Sequence, residues 1–105
     1  MKRNGLITIS ELAKSTSISR ATIDRYERLQ ILKPVCEDSA SNTRYFDNTS
    51  VNTLKLIKVL QKRPFRLLLE DIKKILDQFP LDELLEIYQK SDKTLLSYLS
   101  EKNFL

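Results

Sequence analysis

The sequence predicts a mainly α-helical protein built on a helix-turn-helix followed by a short β-hairpin, and three features of the chain predict this fold class. Two short helical segments between Ile9 and Leu32 are separated by a connection of only two residues. Two short extended segments then flank six small polar residues, which are typical of a hairpin tip. The chain has one Gly and three Pro, so little in it interrupts helices.

The helix-turn-helix is the element around which the chain is organised. Ser10 is expected to cap the first helix and Ser19 the second, because a hydroxyl can accept from free backbone amides at a helix start. So short a connection forces the helices to cross sharply, and Ala13 is the small residue that permits this. Ser17 lies where such turns favour Gly at positive φ. An ordinary helical hairpin that binds no nucleic acid would show the same apolar spacing.

The β-hairpin is predicted as a two-stranded wing, with strands at Val35–Glu37 and Arg44–Phe46. Pro34 ends the preceding helical region and leads into extended chain. Phe46 is predicted to be a core residue. Arg44 and Tyr45 on the returning strand are candidates for phosphate contacts if the wing follows a DNA backbone.

Two further helices are predicted before the end of the chain. The third begins at Asp47 or Asn48 and runs to about Lys62, with apolar residues on more than one face. The fourth begins at Leu68 or Leu69 and ends at Phe79 before a proline.

The C-terminal region has no further helix breaker, and we expect one helix of about 24 residues, roughly 36 Å long, beginning at Leu81. Its apolar residues follow a heptad-like pattern, which predicts a dimeric coiled coil. The alternative is a break at Ser91–Asp92 and a last helix that folds back on its own domain. We therefore divide the chain into a DNA-binding domain at 1–79 and a dimerisation segment at 80–105. The predicted dimer-interface residues are Leu81, Leu84, Leu85, Tyr88, Leu95, Tyr98 and Leu99.

Charge is distributed unevenly along the chain. Residues 1–66 contain 13 Lys or Arg and 6 Asp or Glu, a net charge of +7, whereas residues 67–105 contain 5 and 8, a net charge of −3. A basic half that coincides with a helix-turn-helix favours a phosphate-bearing partner.

Several function classes are disfavoured by residues that the chain lacks. It contains no His and one Cys, Cys36, so the usual zinc sites and an internal disulfide cannot form within it. No nucleophile motif, paired carboxylates or Gly-rich phosphate loop is evident, and we expect neither an enzyme nor a bound cofactor or metal. The longest apolar run, Leu67–Leu69, is far too short for a membrane span, and the start of the chain does not look like a signal peptide, so a cytoplasmic location is expected.

The order of these parts resembles the MerR family of bacterial transcription regulators. The stretches that carry the resemblance are Ile9–Ala13, Ile18–Ser19, Thr22–Ile23, Tyr26–Glu27, Ile31–Pro34, Arg44–Asp47 and Leu69–Ile72. The resemblance implies a winged helix-turn-helix that binds DNA through Ser19, Thr22 and Tyr26 of the second helix and through Arg44 and Tyr45 of the wing. Three arginines of the second helix are this chain's own candidates, because guanidinium groups suit guanine edges and phosphates: Arg20, Arg25 and Arg28.

The resemblance also implies a homodimer joined by antiparallel terminal helices, which binds an inverted repeat at a promoter and acts with RNA polymerase or another DNA-bound protein. The chain departs from the family where Asp24 replaces a basic residue, Arg25 an aromatic one and Gln30 a glycine. We expect no ligand-binding domain after the terminal helix and no small-molecule effector, and therefore regulation through abundance, a partner protein or cooperative binding.

Two other functions stay open at this point. A bacterial, phage or plasmid protein that organises the nucleoid, segregates DNA or directs recombination could use the same winged module. A helical protein-interaction module, in which the basic half is incidental, is the less favoured alternative.

Overall fold

The computed structural model describes residues 5–105, and within this range the chain forms six α-helices and three short β-strands. The strands are β1 (Ile7–Thr8), β2 (Cys36–Asp38) and β3 (Thr43–Phe46). The helices are α1 (Ile9–Thr16), α2 (Arg20–Arg28), α3 (Asn48–Gln61), α4 (Leu69–Gln78), α5 (Leu81–Lys90) and α6 (Asp92–Glu101). The mainly α fold class is confirmed. The chain divides within α3 into two compact units, one up to Lys55 and one from Leu56 to Leu105.

Helix α1 follows β1 directly, and Thr8, the last residue of β1, caps it. The Thr8 hydroxyl accepts from the backbone N–H of Glu11 at 3.2 Å, and the Glu11 carboxylate accepts from the backbone N–H of Thr8 at 3.0 Å. This reciprocal pair is a capping box. The prediction that Ser10 caps the helix is wrong, because Ser10 lies in the first helical turn with its side chain exposed.

The turn between α1 and α2 has the predicted geometry. Ser17 adopts the left-handed conformation with φ of 57°, and its N–H donates to the carbonyl of Ala13. The Ser19 hydroxyl caps α2 by accepting from the backbone N–H of Thr22 at 3.2 Å, as predicted. Leu12 and Ile23 from the two helices are fully buried, which fixes the crossing.

The predicted two-stranded wing is present as the antiparallel pair of β2 and β3, and β1 adds a third strand that the sequence did not predict, which gives a sheet of order β1-β3-β2. β1 pairs with β3 through Ile7 opposite Phe46 and Thr8 opposite Tyr45. A two-residue strand directly before a helix is too short to show the alternation by which strands are recognised. Phe46 is fully buried, which confirms its prediction as a core residue.

Helix α3 begins after Asp47, whose carboxylate accepts from the backbone N–H of Thr49 at 3.0 Å. Four of its apolar side chains have at most 1% exposure and cover more than one face of the helix, as predicted: Leu54, Leu56, Ile57 and Leu60. Phe65 and Leu67 in the connection to α4 are also buried. The Leu67 N–H donates to the Leu60 carbonyl at 2.9 Å, so this connection is tied to the end of α3.

The C-terminal region forms two helices, α5 and α6, and the prediction of one continuous helix is wrong. Ser91 has extended backbone geometry, and its hydroxyl accepts from the backbone N–H of Thr94 at 3.0 Å, so it caps α6. α6 folds back on α5, and the Tyr98 hydroxyl donates to the Glu83 carboxylate at 3.3 Å. The break at Ser91–Asp92 therefore matches the alternative drawn from the sequence.

This fold leaves only some of the predicted dimer-interface residues accessible to a partner. Leu84, Leu95 and Leu99 have at most 1% exposure inside the single chain, so they are not available to a partner in this arrangement. The other predicted interface residues keep part of their surface exposed: Leu81, Leu85, Tyr88 and Tyr98. Across residues 5–105, no helix combines the length and apolarity that a bilayer crossing requires.

The corrected helix start gives a direct test. Thr8→Ala should lower the free energy of unfolding by about 1 kcal/mol, because it removes the side-chain half of the capping box. Ser10→Ala is the matched control and should change it by less than about 0.5 kcal/mol. Urea unfolding followed by circular dichroism measures both. A larger loss for Ser10→Ala than for Thr8→Ala would restore the sequence-based assignment.

Candidate nucleic-acid interface

Helix α2 exposes a face that carries three arginines. Arg20, Arg25 and Arg28 are exposed, whereas Ile23 and Tyr26 on the opposite side of the helix are buried. At about 100° per residue, the three arginines lie within one half of the helix circumference. The face that α2 offers to a partner is therefore the one that carries the three arginines predicted as DNA-binding residues.

The hydroxyl residues at the start of α2 form hydrogen bonds within that helix end. The Ser19 and Thr22 hydroxyl oxygens lie 2.9 Å apart, and Ser19 also accepts from the Thr22 N–H. Ser19 is exposed and Thr22 half-buried. Tyr26 has only 6% exposure and belongs mostly to the core beneath α2, and the DNA contact expected of it stays a prediction.

Arg44 is the predicted wing residue whose surroundings differ most from expectation. Its Nη1 donates to Glu27 Oε1 at 2.6 Å and its Nη2 donates to Asp24 Oδ1 at 2.8 Å. Both acceptors lie on α2, so the guanidinium links β3 of the wing to the second helix of the helix-turn-helix. We call these three side chains the acidic clamp.

The alternation of side chains along β3 explains this orientation. Residues two apart on a strand lie on the same face of a sheet, so Arg44 shares a face with the buried Phe46. Arg44 consequently faces the helices and meets their acidic residues. Tyr45 lies on the opposite face of the sheet and is half-buried.

The acidic clamp is partly screened from water. The side chains of Arg44, Asp24 and Glu27 are 27%, 44% and 14% exposed, so Glu27 forms the inner pair and Asp24 the outer one. The hydrogen bond to Asp24 is the strongest influence on the pKa of Arg44 and raises it; burial opposes this rise and Glu27 adds to it. The guanidinium therefore stays charged, and its charge is already matched by two carboxylates.

Two open grooves flank the clamp within the first unit. One lies against α2 and is lined by Ala21, Asp24, Glu27, Arg28 and Arg44. The other joins the start of α1, Arg20 and the tip of the wing, and its lining residues are Thr8, Ile9, Ser10, Arg20, Ser41, Asn42, Thr43 and Arg44. The second groove combines hydroxyl groups with guanidinium groups, which suits an extended anionic chain better than a small enclosed ligand, whereas the first groove is also lined by the carboxylates of Asp24 and Glu27.

The two acidic partners of Arg44 are not evident from the local sequence patterns. In the sequence, Asp24 is only a departure from a family pattern and Glu27 only part of a matching motif. Their spacing is the signal that could have identified them. Asp24 and Glu27 lie three residues apart on one helix face, and Arg44 lies two residues from Phe46, so both strand residues face the same side of the sheet. Among the described residues, no cluster of three or more His, Cys, Asp or Glu could hold a metal ion.

A helix-turn-helix whose second helix exposes arginines, joined to a small β-sheet wing, defines a winged helix-turn-helix of the kind that binds DNA. Residues 7–78 match the model of the MerR HTH family regulatory proteins. The chain therefore belongs to the MerR family, which confirms the resemblance seen in the sequence.

A relative agrees with this assignment. The chain is 40% identical over 73 residues to the HTH-type transcriptional regulator CueR of Bacillus subtilis (strain 168). The match covers 69% of this chain and 48% of that protein, so the chain spans about half the length of this relative.

The acidic clamp predicts a loss of stability when its cation is removed. Arg44→Ala should lower the free energy of unfolding by about 1–3 kcal/mol, because Glu27 is left poorly solvated without its charged donor. Arg25→Ala, which removes an exposed arginine of α2, should change it by less than about 0.5 kcal/mol. Chemical unfolding of both variants checks this.

A double variant separates the clamp from simple loss of a side chain. Arg44→Ala combined with Glu27→Gln should cost less than the sum of the two single changes, since the unpaired carboxylate is then absent. Strictly additive losses would mean that the clamp contributes nothing as a pair.

Proposed function

We propose that this chain is a transcription regulator that binds double-stranded DNA through α2 and the wing. The observation that carries the proposal is the exposed face of Arg20, Arg25 and Arg28 on the second helix of a MerR-family helix-turn-helix. The net charge of +7 over residues 1–66 adds the long-range attraction that brings such a face to DNA. The proposed role implies a cytoplasmic location in a bacterium.

In this proposal α2 enters the major groove. The groove is about 12 Å wide and accepts one helix, and each guanidinium can donate two hydrogen bonds to the O6 and N7 atoms of a guanine. The position of α2 along the groove would determine which of Arg20, Arg25 and Arg28 contacts a guanine. The sequence preference of the protein would therefore depend mainly on these three residues.

The wing would hold the backbone of the same duplex. The groove between Arg20, the start of α1 and the hydroxyl groups at the wing tip fits a sugar-phosphate chain, because it combines the exposed guanidinium of Arg20 with several short donors. Tyr45 remains a candidate for a further backbone contact. Arg44 would act chiefly by fixing the wing against α2, since both of its terminal nitrogens already donate to carboxylates.

Binding as a homodimer to an inverted repeat is the finer part of the proposal. Two copies related by a twofold axis would place two recognition helices on successive turns of the duplex. The residues proposed for the contact share one face of α5 and keep part of their apolar surface exposed: Leu81, Leu85 and Tyr88. RNA polymerase or another DNA-bound protein would then interact with the regulator at the occupied promoter.

Selection from a random library of duplexes tests the central proposal. The purified chain should enrich a defined sequence, and its affinity for that duplex should fall about 10-fold or more between 50 and 200 mM salt as counterions are displaced. Replacing Arg20, Arg25 and Arg28 together by Gln should abolish the enrichment. A matched control, with Lys74, Lys90 and Lys93 replaced by Gln, removes the same charge from exposed positions of the second unit and should still enrich the same sequence.

Enrichment of an inverted repeat would support the dimeric regulator, and binding without sequence preference would favour a DNA-organising protein. A salt-independent affinity, or no enrichment at all, would contradict DNA binding and favour a protein-interaction module.

The dimer is tested separately by Leu85→Asp. A carboxylate on the exposed stripe of α5 should shift sedimentation from dimer to monomer, because it would have to be buried in the proposed interface. Unchanged helical content by circular dichroism provides the control for folding. A variant that sediments like the unmodified chain would place the interface elsewhere.

A further inference from the structure

Asp24 lies in the middle of the face that α2 exposes. It is four residues from both Arg20 and Arg28, so at about 100° per residue it falls between them on the helix surface. Its side chain is 44% exposed, more than that of either other member of the acidic clamp. A carboxylate therefore interrupts an otherwise basic face.

The charges within the clamp do not balance. One guanidinium, from Arg44, meets two carboxylates, from Asp24 and Glu27, so the clamp keeps one net negative charge. Glu27 is the inner partner, with 14% exposure and a 2.6 Å hydrogen bond, and alone would neutralise Arg44. Asp24 is the surplus carboxylate, and it is the one nearer to solvent.

We propose that Asp24 is a specificity-determining residue of the DNA-binding face, which lowers affinity for DNA in general more than affinity for the preferred sequence. This inference rests on the proposed function.

Two properties of a carboxylate support this role. It repels phosphate groups, so a duplex bound out of register, with its backbone near α2, is penalised. It only accepts hydrogen bonds, so among the base edges of the major groove it favours the exocyclic amino groups, above all cytosine N4. A duplex that places such an amino group near Asp24 gains a hydrogen bond that offsets the repulsion, whereas an arbitrary sequence does not.

A purely structural role for Asp24 predicts the opposite sign. If Asp24 served only to fix Arg44 and the wing, its removal would loosen the wing and weaken binding to every duplex. If it acts on specificity, its removal strengthens binding to unselected DNA, while the inner pair of Glu27 and Arg44 still holds the wing.

The test compares the full chain with Asp24→Asn, which keeps the size and the acceptor oxygen of the side chain but not its charge. Affinities are measured for two duplexes, the sequence selected by the unmodified chain and a scrambled version of it, over a series of salt concentrations. Glu86→Gln on α5 is the matched control, because it removes the same charge from an exposed position of the second unit. Thermal unfolding of each variant verifies that it is folded.

For Asp24→Asn we expect affinity for the scrambled duplex to rise about two- to fivefold, the range for one exposed charge interaction. Affinity for the selected duplex should rise less or fall, so the ratio of the two affinities decreases. Glu86→Gln should leave that ratio unchanged. The dependence of scrambled-duplex affinity on salt should also become steeper.

Three outcomes would overturn the inference. Equal weakening on both duplexes would show a structural role, and equal strengthening on both, or the same effect from Glu86→Gln, would show general repulsion alone. If the unmodified chain bound neither duplex at any salt concentration, the proposed function would fail, and this inference with it. In the first two cases DNA binding by the unmodified chain would remain intact, which separates the two failures.

Discussion

One strand, β3, is the constraint on which the first unit of the structure depends. It pairs with β1 on one side and with β2 on the other, so it joins the start of the chain to the wing. The same face of this strand buries Phe46 and directs Arg44 toward α2. Because side chains alternate along a strand, a shift of one residue in its pairing would expose the phenyl ring and withdraw the guanidinium at the same time. Core packing and the orientation of the wing are thus set by a single register.

The acidic clamp follows from that register and determines which charges reach a partner. The terminal nitrogens of Arg44 donate to Asp24 and Glu27. The exposed face of α2 retains three arginines around one surplus carboxylate. A charge that is matched inside the protein contributes to position more than to attraction. The first unit therefore separates two tasks: the clamp orients the wing, and the arginines of α2 supply the groups that we propose to read a base sequence.

The second unit shows how local capping outweighs apolar periodicity. The heptad-like pattern after Leu81 is compatible with one long helix, yet Ser91 adopts extended geometry and starts a new helix with its own cap. Folding back buries Leu84, Leu95 and Leu99 within the chain, which an isolated helix of that length could not do. Tyr98 also lies edge-on against Phe79, with ring centroids 5.5 Å apart. The apolar residues left at the surface of α5 form the smaller stripe that we propose for dimerisation.

The elements that could be predicted from the sequence are those whose signals are local. The sequence predicts the two helices of the helix-turn-helix, the positive φ of Ser17, the cap at Ser19, the core position of Phe46 and the family, because caps, turns and ordered motifs are written in neighbouring residues. The pairing of β1, the burial of Tyr26 and the partners of Arg44 could not be predicted in this way, because they depend on how the elements pack. The strand pairing and the ion pairs join residues that are 17 to 39 positions apart, such as Arg44 and Glu27 or Ile7 and Phe46. No local pattern records such a distance, since it is set by how the elements pack.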